Sequence, residues 1–329
     1  MAADMMRDTL RLVNVRERPQ LQIFIEEDFL VPDIKPDVGR IISVDGEIKL
    51  GEKESFGGSL HLGGDFFLKV LYVPSSGDEG FPLEFMEIKT VFRHDEEFPV
   101  GDSELEIIPK VEHLDYSLVN ERKMRMKAIV SMNIKEYETM EKNIFSGFRD
   151  ESLEILNGNL HFTNLAERKK DYIEVKEEAK IRDGMPEIGR ILKSDFSVGE
   201  TYRQISGEKA IVSGAIYYHI LYISDEAEPV PVFFQGKVDF TQFIRLEDGE
   251  NFTGCDIFMT IDDIRVVVKA DEDENMTIFD LSVGVSTKLD LFREQSAQVV
   301  EDAYHSKKVV DIEREVMECN LRKGSGSVD

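Results

Sequence analysis

Apolar and polar residues alternate along much of the chain with a period of two, the spacing expected of half-buried β-strands. The clearest run is 124–134, where methionine, alanine, valine and isoleucine occupy every second position, and leucine and valine repeat the pattern over 281–291. Further apolar stretches rich in β-branched and aromatic residues lie at 66–73, 104–111, 211–223 and 264–268. The pattern predicts a mainly β protein with sandwich or barrel-like domains.

The chain also contains an internal repeat at an offset of 150 residues. Pro36-Asp-Val-Gly-Arg-Ile-Ile returns as Pro186-Glu-Ile-Gly-Arg-Ile-Leu, and Leu71-Tyr72-Val73 returns as Leu221-Tyr222-Ile223. Asp45 and Gly64 match Asp195 and Gly214 at the same offset. Identities held at one spacing without a gap predict a duplicated domain.

The repeat and the charge runs divide the chain into five segments. We expect an N-terminal arm (1–21), a first β domain (22–140), a connector (141–170), a second β domain (171–293) and a C-terminal arm (294–329) whose last residues have linker composition. Short helices are expected in the connectors, and the valine-rich part of the last arm is predicted to be either an edge strand or a short helix.

Composition restricts the class of partner. The 329 residues are enough for about two domains. The formal net charge is −26, which argues against nucleic acid and against unaided binding to an anionic membrane, because both need clustered cations. No apolar run approaches the roughly 20 residues of a membrane span. The acidic N-terminus does not resemble a secretory signal, so we expect synthesis in the cytosol.

Residues with catalytic or metal-binding chemistry are present but poorly arranged. The sequence contains no phosphate-binding loop, dinucleotide fingerprint or nucleophile elbow. His94 beside acids, and the acidic segment 271–275, are interpreted as solvated loops or turns. The acid pairs Glu26/Asp28 and Asp262/Asp263 would suit hydrolysis only if they converged in one cleft. We therefore expect no enzyme activity, no cofactor and no metal.

The repeated charges and thiols are the remaining candidates. Arg40 and Arg190 each follow an acid, Asp37 and Glu187, by three residues and stand beside Pro and Gly. This spacing predicts either a salt-bridged corner that fixes the domain or a subunit contact. Tyr72 and Tyr222 are predicted to be core or rim aromatics with a hydrated hydroxyl. Cys255 is expected to be a small buried residue, and Cys319 is a candidate for a crosslink between chains, with Cys255 the second thiol available.

One long segment carries a family resemblance. Phe29-Leu-Val-Pro-Asp-Ile-Lys-Pro-Asp-Val-Gly-Arg-Ile-Ile, followed by Phe67-Leu-Lys-Val-Leu-Tyr-Val, resembles the SPOCS domain of spore-forming bacteria. The motif residues in the first copy are Pro32, Asp33, Pro36, Asp37, Gly39, Arg40 and Tyr72, and in the second copy Pro186, Glu187, Gly189, Arg190 and Tyr222. The second copy has Arg182-Asp183 in place of Pro32-Asp33.

The resemblance implies a role in the spore envelope. Such domains are found in SipL-like coat-morphogenesis proteins, where a LysM module follows them, and in exosporium basal-layer proteins. No LysM-like segment follows Asp311. We therefore expect a structural protein of the coat or exosporium, made in the mother cell, that binds itself in an oligomer or lattice and contacts other envelope proteins. The alternative is an adaptor linking coat layers.

Overall fold

The computed structural model describes residues 5–75, 82–99, 103–148, 153–247, 252–305, 307 and 309. Thirteen antiparallel β-strands account for nearly all of this part of the chain. The predicted β class is confirmed, but the short helices expected in the connectors are not found in the described residues. No helix that is long and apolar enough to cross a bilayer occurs there either.

The first domain contains seven strands, which are β1 (Met5–Glu17), β2 (Leu21–Leu30), β3 (Val38–Phe56), β4 (Ser59–Pro74), β5 (Glu84–Glu97), β6 (Glu104–Asn120) and β7 (Lys123–Phe148). One sheet has the order β3-β4-β5. In the other, the long strand β7 pairs with β6 on one side and with β2 and then β1 on the other. The two sheets pack face to face as a sandwich.

The second domain repeats this arrangement with β8 (Leu153–Lys180), β9 (Ile188–Ser206), β10 (Lys209–Ser224), β11 (Pro231–Arg245), β12 (Gly254–Ala270) and β13 (Met276–His305). The sheet β9-β10-β11 corresponds to β3-β4-β5, and β12-β13-β8 corresponds to the β7 sheet. The single strand β8 takes the place of both β1 and β2, because it pairs with β13 along its whole length.

Strand irregularities are duplicated together with the strands. In β3 the bulged residues are Gly39, Ile42 and Gly51, and in β9 they are Gly189, Leu192 and Thr201, each 150 positions later. A further bulge at Glu112 in β6 recurs at Asp262 in β12. A bulge bends a strand at a defined place, so matching bulges mean that both copies bend alike. The repeat seen in the sequence is therefore a repeat of backbone geometry.

The period-two runs form the centre of each core. Between Met124 and Ile134 the inward side chains of β7 are buried against β4. In the second domain the inward side chains of β13 between Leu281 and Leu291 are buried against β10. In the second domain two buried polar residues interrupt the apolar packing. Gln242 on β11 and Thr287 on β13 have no hydrogen-bond partner for their side chains among the described residues. The core of this domain divides into separate clusters on either side of them.

The segments expected to be arms and a connector are largely strand. The described part of 141–170 consists of the end of β7 and about the first two thirds of β8, and β1 occupies most of 1–21. Residues 294–305 continue β13, so this part of the C-terminal segment is a strand and not a short helix. Charge-rich composition suggested solvated linkers, but long paired strands can carry charge on their open faces.

Candidate functional site

The repeated Pro and Tyr residues form a buried hydrogen bond in each domain. The Tyr72 hydroxyl donates to the Pro36 carbonyl at 2.9 Å, and the Tyr222 hydroxyl donates to the Pro186 carbonyl at the same distance. Both tyrosines are fully buried, so the hydrated hydroxyl expected from the sequence is wrong. Burial, together with the nearby carboxylate of Glu84, raises the pKa of Tyr72 to about 12. A buried hydroxyl needs a hydrogen-bond partner, and the proline carbonyl supplies it. We call the turn that contains this proline, residues 31–37 before β3 and 181–187 before β9, the corner of each domain.

The repeated glycines lie where the corner touches the end of the neighbouring strand. A Cβ on Gly39 would lie 2.7 Å from the Ser75 Cα, and a Cβ on Gly189 would lie 2.9 Å from the Ile223 carbonyl oxygen. The corner is also held by the Ser75 amide, which donates to the Asp37 carbonyl at 2.9 Å. No side chain fits at this approach. Glycine is therefore a requirement of the fold at these positions.

Arg122, in the turn between β6 and β7, holds the corner of the first domain. Its guanidinium donates to the Asp37 carboxylate at 2.7 Å and to the Val31 carbonyl at 3.0 Å. It also reaches the carbonyls of Lys35 and Pro32, and lies 3.4 Å from Asp33. Arg122 was not predicted from the sequence, because the second copy has Glu272 at the matching place and the repeat therefore carried no signal for an arginine.

A carboxylate organises the matching turn, between β12 and β13, in the second domain. Asp271 accepts hydrogen bonds from the backbone amides of Asp273 and Asn275, from the Thr277 hydroxyl and from Lys180. The Lys180 ammonium and these donors lower the pKa of Asp271 to about 2. Segment 271–275 is thus a hydrogen-bonded hairpin turn. The Asp271 carboxylate oxygens accept hydrogen bonds from within the turn. No metal-binding cluster of His, Cys, Asp or Glu is found in the part of the chain that the structure describes.

Arg40 and Arg190 do not pair with the acids three residues before them. Asp37 pairs with Arg122, and the Glu187 carboxylate accepts the Met276 amide at 3.1 Å. Arg190 instead donates two hydrogen bonds, at 2.6 and 3.1 Å, to Glu84 of the first domain. Arg40 is exposed and has no ion pair within the described residues. The salt-bridged corner expected from the spacing is therefore a contact between domains in one copy and an open surface in the other.

The contact at Arg190 belongs to the first of two parts of the domain interface. Glu84 is only 5% exposed and also pairs with Lys35 at 3.1 Å. Burial alone would raise the pKa of Glu84, but the hydrogen bonds from Arg190 and Lys35 outweigh it and lower the pKa below the ordinary value. Lys193 pairs with Asp45 of the first domain at 2.6 Å. Leu71, Leu192 and Ile223 close this part of the interface with apolar contacts.

The second part of the interface combines ion pairs with an aromatic ring. The Arg168 guanidinium lies 3.6 Å from the centre of the Tyr137 ring and pairs with Glu104 at 3.1 Å. Lys288 pairs with Glu106, which also accepts the Tyr137 hydroxyl at 2.7 Å. Burial alone would raise the pKa of Glu106, but the hydrogen bonds from Lys288 and Tyr137 outweigh burial and lower this pKa. Ion pairs in both parts of the interface fix the relative orientation of the domains.

Charge is distributed unequally across this boundary. In all four ion pairs that cross it within the described ranges, the first domain contributes the acid and the second contributes the base. The matching positions in the other copy cannot form the same ion pairs. Lys193 corresponds to Ser43, and Arg168 and Glu104 correspond to Arg18 and Gly254. Glu84 corresponds to Val232, because Val232 lies opposite Tyr222 in the sheet as Glu84 lies opposite Tyr72. The interface is thus specific for the first domain against the second.

The acid pairs considered for hydrolysis lie on separate strands in separate domains. Asp28 pairs with Arg125 and Lys123, and Glu26 pairs with Lys127, all along β2 and β7. Asp262 occupies the bulge of β12 and accepts the Ser286 hydroxyl, as Glu112 accepts the Ser131 hydroxyl in the first domain. These acids stabilise strand pairs and bulges, and the two pairs do not form one cleft.

The two cysteines differ in what the structure describes. Cys255 is fully buried, and burial raises the pKa of its thiol. The Arg203 guanidinium also donates to the Cys255 carbonyl at 3.1 Å. A thiol in this position has no access to another chain while the domain is folded, so Cys255 is not a crosslinking residue. Cys319 lies outside the described residues, and its crosslink stays a prediction.

Two β-sandwiches of one design, locked together by ion pairs, define a tandem-repeat β protein. Comparison with known families gives the same division. The family described as SipL, SPOCS domain matches residues 37–119 and again 187–269, which together are about half of the chain and are separated by the same 150 positions. The chain belongs to this family, and it is accordingly a sporulation-related protein. No curated protein and no solved structure matches it.

Proposed function

We propose that this chain is a non-enzymatic structural protein of the bacterial spore envelope, in the coat or the exosporium, which assembles with copies of itself into an oligomer or a two-dimensional lattice. The observation that carries the proposal is the fixed pairing of the two domains. Four ion pairs and a stacked Arg168–Tyr137 contact turn the tandem repeat into one building block. Ordered layers need subunits of constant shape, because each contact must recur at the same angle.

The use of the repeated residues supports the same proposal. Pro36, Gly39 and Tyr72 make their contacts within the corner of the first sandwich, and their counterparts do so in the second. The motif of the family therefore serves to build the domain. Surfaces that differ between the two copies remain available for contacts with other molecules.

Net charge controls how such a layer forms. The formal charge of −26 makes copies repel one another at low ionic strength. Salt shortens the range of this repulsion to about 8 Å at 0.15 M, so we expect assembly to strengthen with salt or with divalent cations.

Electron microscopy of the purified full chain tests the proposal. We expect rings, filaments or sheets when salt or calcium is added, and a crosslinked product under oxidising conditions if Cys319 joins chains. A Cys319→Ser variant separates crosslinking from assembly. Dispersed monomers under all these conditions would refute self-assembly. A fluorescent fusion that stays in the mother-cell cytoplasm throughout sporulation would refute the envelope location.

One surface favours the adaptor role as the second candidate. Arg40 and Ile42 are exposed on the first domain, whereas their counterparts Arg190 and Leu192 are covered by a carboxylate-bearing surface. A partner protein with an acidic side chain beside an apolar one would fit the exposed pair. Arg40→Ala would distinguish the roles: loss of spore localisation by a variant that still assembles in vitro favours the adaptor.

A further inference from the structure

The outer face of the sheet β9-β10-β11 carries four exposed aromatic side chains, which we call the aromatic face. They are Tyr202 (53% exposed), Tyr217 (44%), Phe233 (57%) and Phe243 (69%). The Phe233 ring stacks on His219, with ring centres 5.7 Å apart. Single exposed apolar residues are ordinary on a protein surface, but four aromatic side chains on the outer face of one three-stranded sheet indicate an interaction site.

The first domain provides an internal control for this face. Its sheet has the same strands and bulges, yet Glu52 and Asp95 occupy the places of Tyr202 and Phe243. Phe67 replaces Tyr217, and it is half-buried beneath the ammonium groups of Lys49 and Lys89. Phe85 replaces Phe233. Since the same fold forms with acids at two of the four places, it does not require exposed aromatic residues there.

The charge of the face indicates what covers it. Its acids Asp195 and Asp239 are each paired with a lysine: Lys193 lies 3.1 Å from Asp195 and is shared with Asp45 of the first domain, and Lys237 lies 2.8 Å from Asp239. Between the aromatic side chains the face is therefore close to neutral, on a chain whose formal charge is −26. Two copies repel each other over an acidic surface but can approach here without that cost.

The size of the face suits a weak, reversible contact. From Ile211 to Leu221 the middle strand advances about 33 Å, and three strands are about 14 Å wide, so the projected area is about 460 Å² per copy. Two such faces bury about 900 Å² in projection, which is the small end of protein interfaces and suits a weak contact that is repeated many times in a layer.

We propose that a second copy of this chain packs on the aromatic face, so that two second domains meet sheet to sheet across a two-fold axis. Such an interface is isologous, because both copies use the same patch: where one residue of the first copy contacts another residue of the second, the reverse contact is also made. The two sheets then lie about 10 Å apart, as in the interior of a sandwich. This inference rests on the proposed self-assembly and names the surface that starts it, while further contacts extend the dimer into a layer.

Charge substitutions test the inference in the full chain. Tyr217→Glu and Phe243→Glu each bury two added negative charges in the dimer interface, one from each copy, and Phe56→Glu makes the same kind of change at an 84% exposed site in the first domain. By sedimentation equilibrium at 0.15 M salt, we expect the dimer dissociation constant to rise at least about tenfold for either face variant and to stay unchanged for the control. Far-UV circular dichroism verifies that all three variants are folded.

A crosslinking experiment locates the contact independently. Tyr217→Cys and Phe67→Cys occupy matching positions near the centres of the two outer faces, 150 residues apart, so the first lies close to the two-fold axis of the proposed dimer. In a Cys319→Ser background, a bifunctional thiol reagent spanning about 10 Å should join chains of the Tyr217→Cys variant and not chains of the Phe67→Cys variant.

The outcomes distinguish this inference from the proposed function. Wild-type assembly that survives Tyr217→Glu and Phe243→Glu would overturn the aromatic face and leave self-assembly standing. A dimer that is lost in both face variants, but never forms layers by electron microscopy, would support the face and refute the lattice. A monomeric wild type overturns the inference, and a change in its tyrosine fluorescence on adding a soluble chito-oligosaccharide would assign the face to a glycan.

Discussion

Replacing Arg190 should weaken the domain interface, whereas the same change at Arg40 should do almost nothing. The two residues occupy one repeat position, so Arg40→Ala is a matched control for Arg190→Ala. Arg190 donates two hydrogen bonds to Glu84, while Arg40 is exposed without an ion pair in the described chain. The pair of variants therefore measures what the domain contact adds beyond the loss of an arginine.

The size of the effect follows from burial. An exposed pair contributes about 0.2–1 kcal/mol, and removing one partner of a fully buried pair costs about 3–5 kcal/mol. Glu84 is 5% exposed, but the Arg190 side chain is 36% exposed and Lys35 still reaches Glu84 after the change. We therefore expect Arg190→Ala to lower the free energy of unfolding by about 2 kcal/mol, and Arg40→Ala to change it by less than about 0.5 kcal/mol.

Urea unfolding followed by circular dichroism provides the measurement, with the slope of the transition checked for change. A double-mutant cycle with Glu84→Gln should give a coupling energy of about 1 kcal/mol or more, because the two side chains are in direct contact. Equal losses for Arg190→Ala and Arg40→Ala would refute the reasoning, and so would a coupling energy near zero.

The same pair has a pH dependence with a definite sign. The pKa of Glu84 is lower in the folded chain than the ordinary 4.5, so the folded state favours the ionised carboxylate. Its contribution is complete above pH 4.5 and is lost as the pH falls through the lowered value. We expect the stability difference between wild type and Glu84→Gln to shrink on acidification below pH 4.5. A difference that stayed constant down to pH 2 would contradict this.

The remaining predictions concern the corners and the core. Tyr72→Phe and Tyr222→Phe should each cost about 1–3 kcal/mol in urea unfolding, because each leaves a corner carbonyl without its donor, and no loss in either variant would contradict the role of the hydrogen bond. Thr287→Val removes a buried hydroxyl that has no partner in the described chain, so it should stabilise by about 1 kcal/mol, and a loss of stability would show a missed partner. The Asp271 carboxyl should titrate near pH 2 by NMR, and an ordinary value near pH 4 would show that the turn is open. Cys255 should react with a thiol reagent only after urea is added, and fast reaction in the folded chain would disprove its burial.

Much of the fold could be predicted from local patterns. Period-two runs such as 124–134 are buried on alternate positions because side chains on a strand point to opposite sheet faces. The offset of 150 residues predicted two copies, and the matched bulges at Gly39 and Gly189 show that geometry was copied as well. Composition misled the reading of 141–170, since long paired strands accept charged side chains on their solvent faces.

The partners of the charged residues depended on tertiary structure. Arg190 has an acid three positions before it, yet its partner is Glu84, more than one hundred residues away, because the angle between the domains brings those two together. Arg122 holds the corner of one copy only, so no repeat pointed to it. Alternation and repetition are properties of the single strand and of the copied segment, and they can be read along the chain. Ion pairs across a boundary, and an aromatic face on one of two like sheets, exist only once the strands and domains are placed in space.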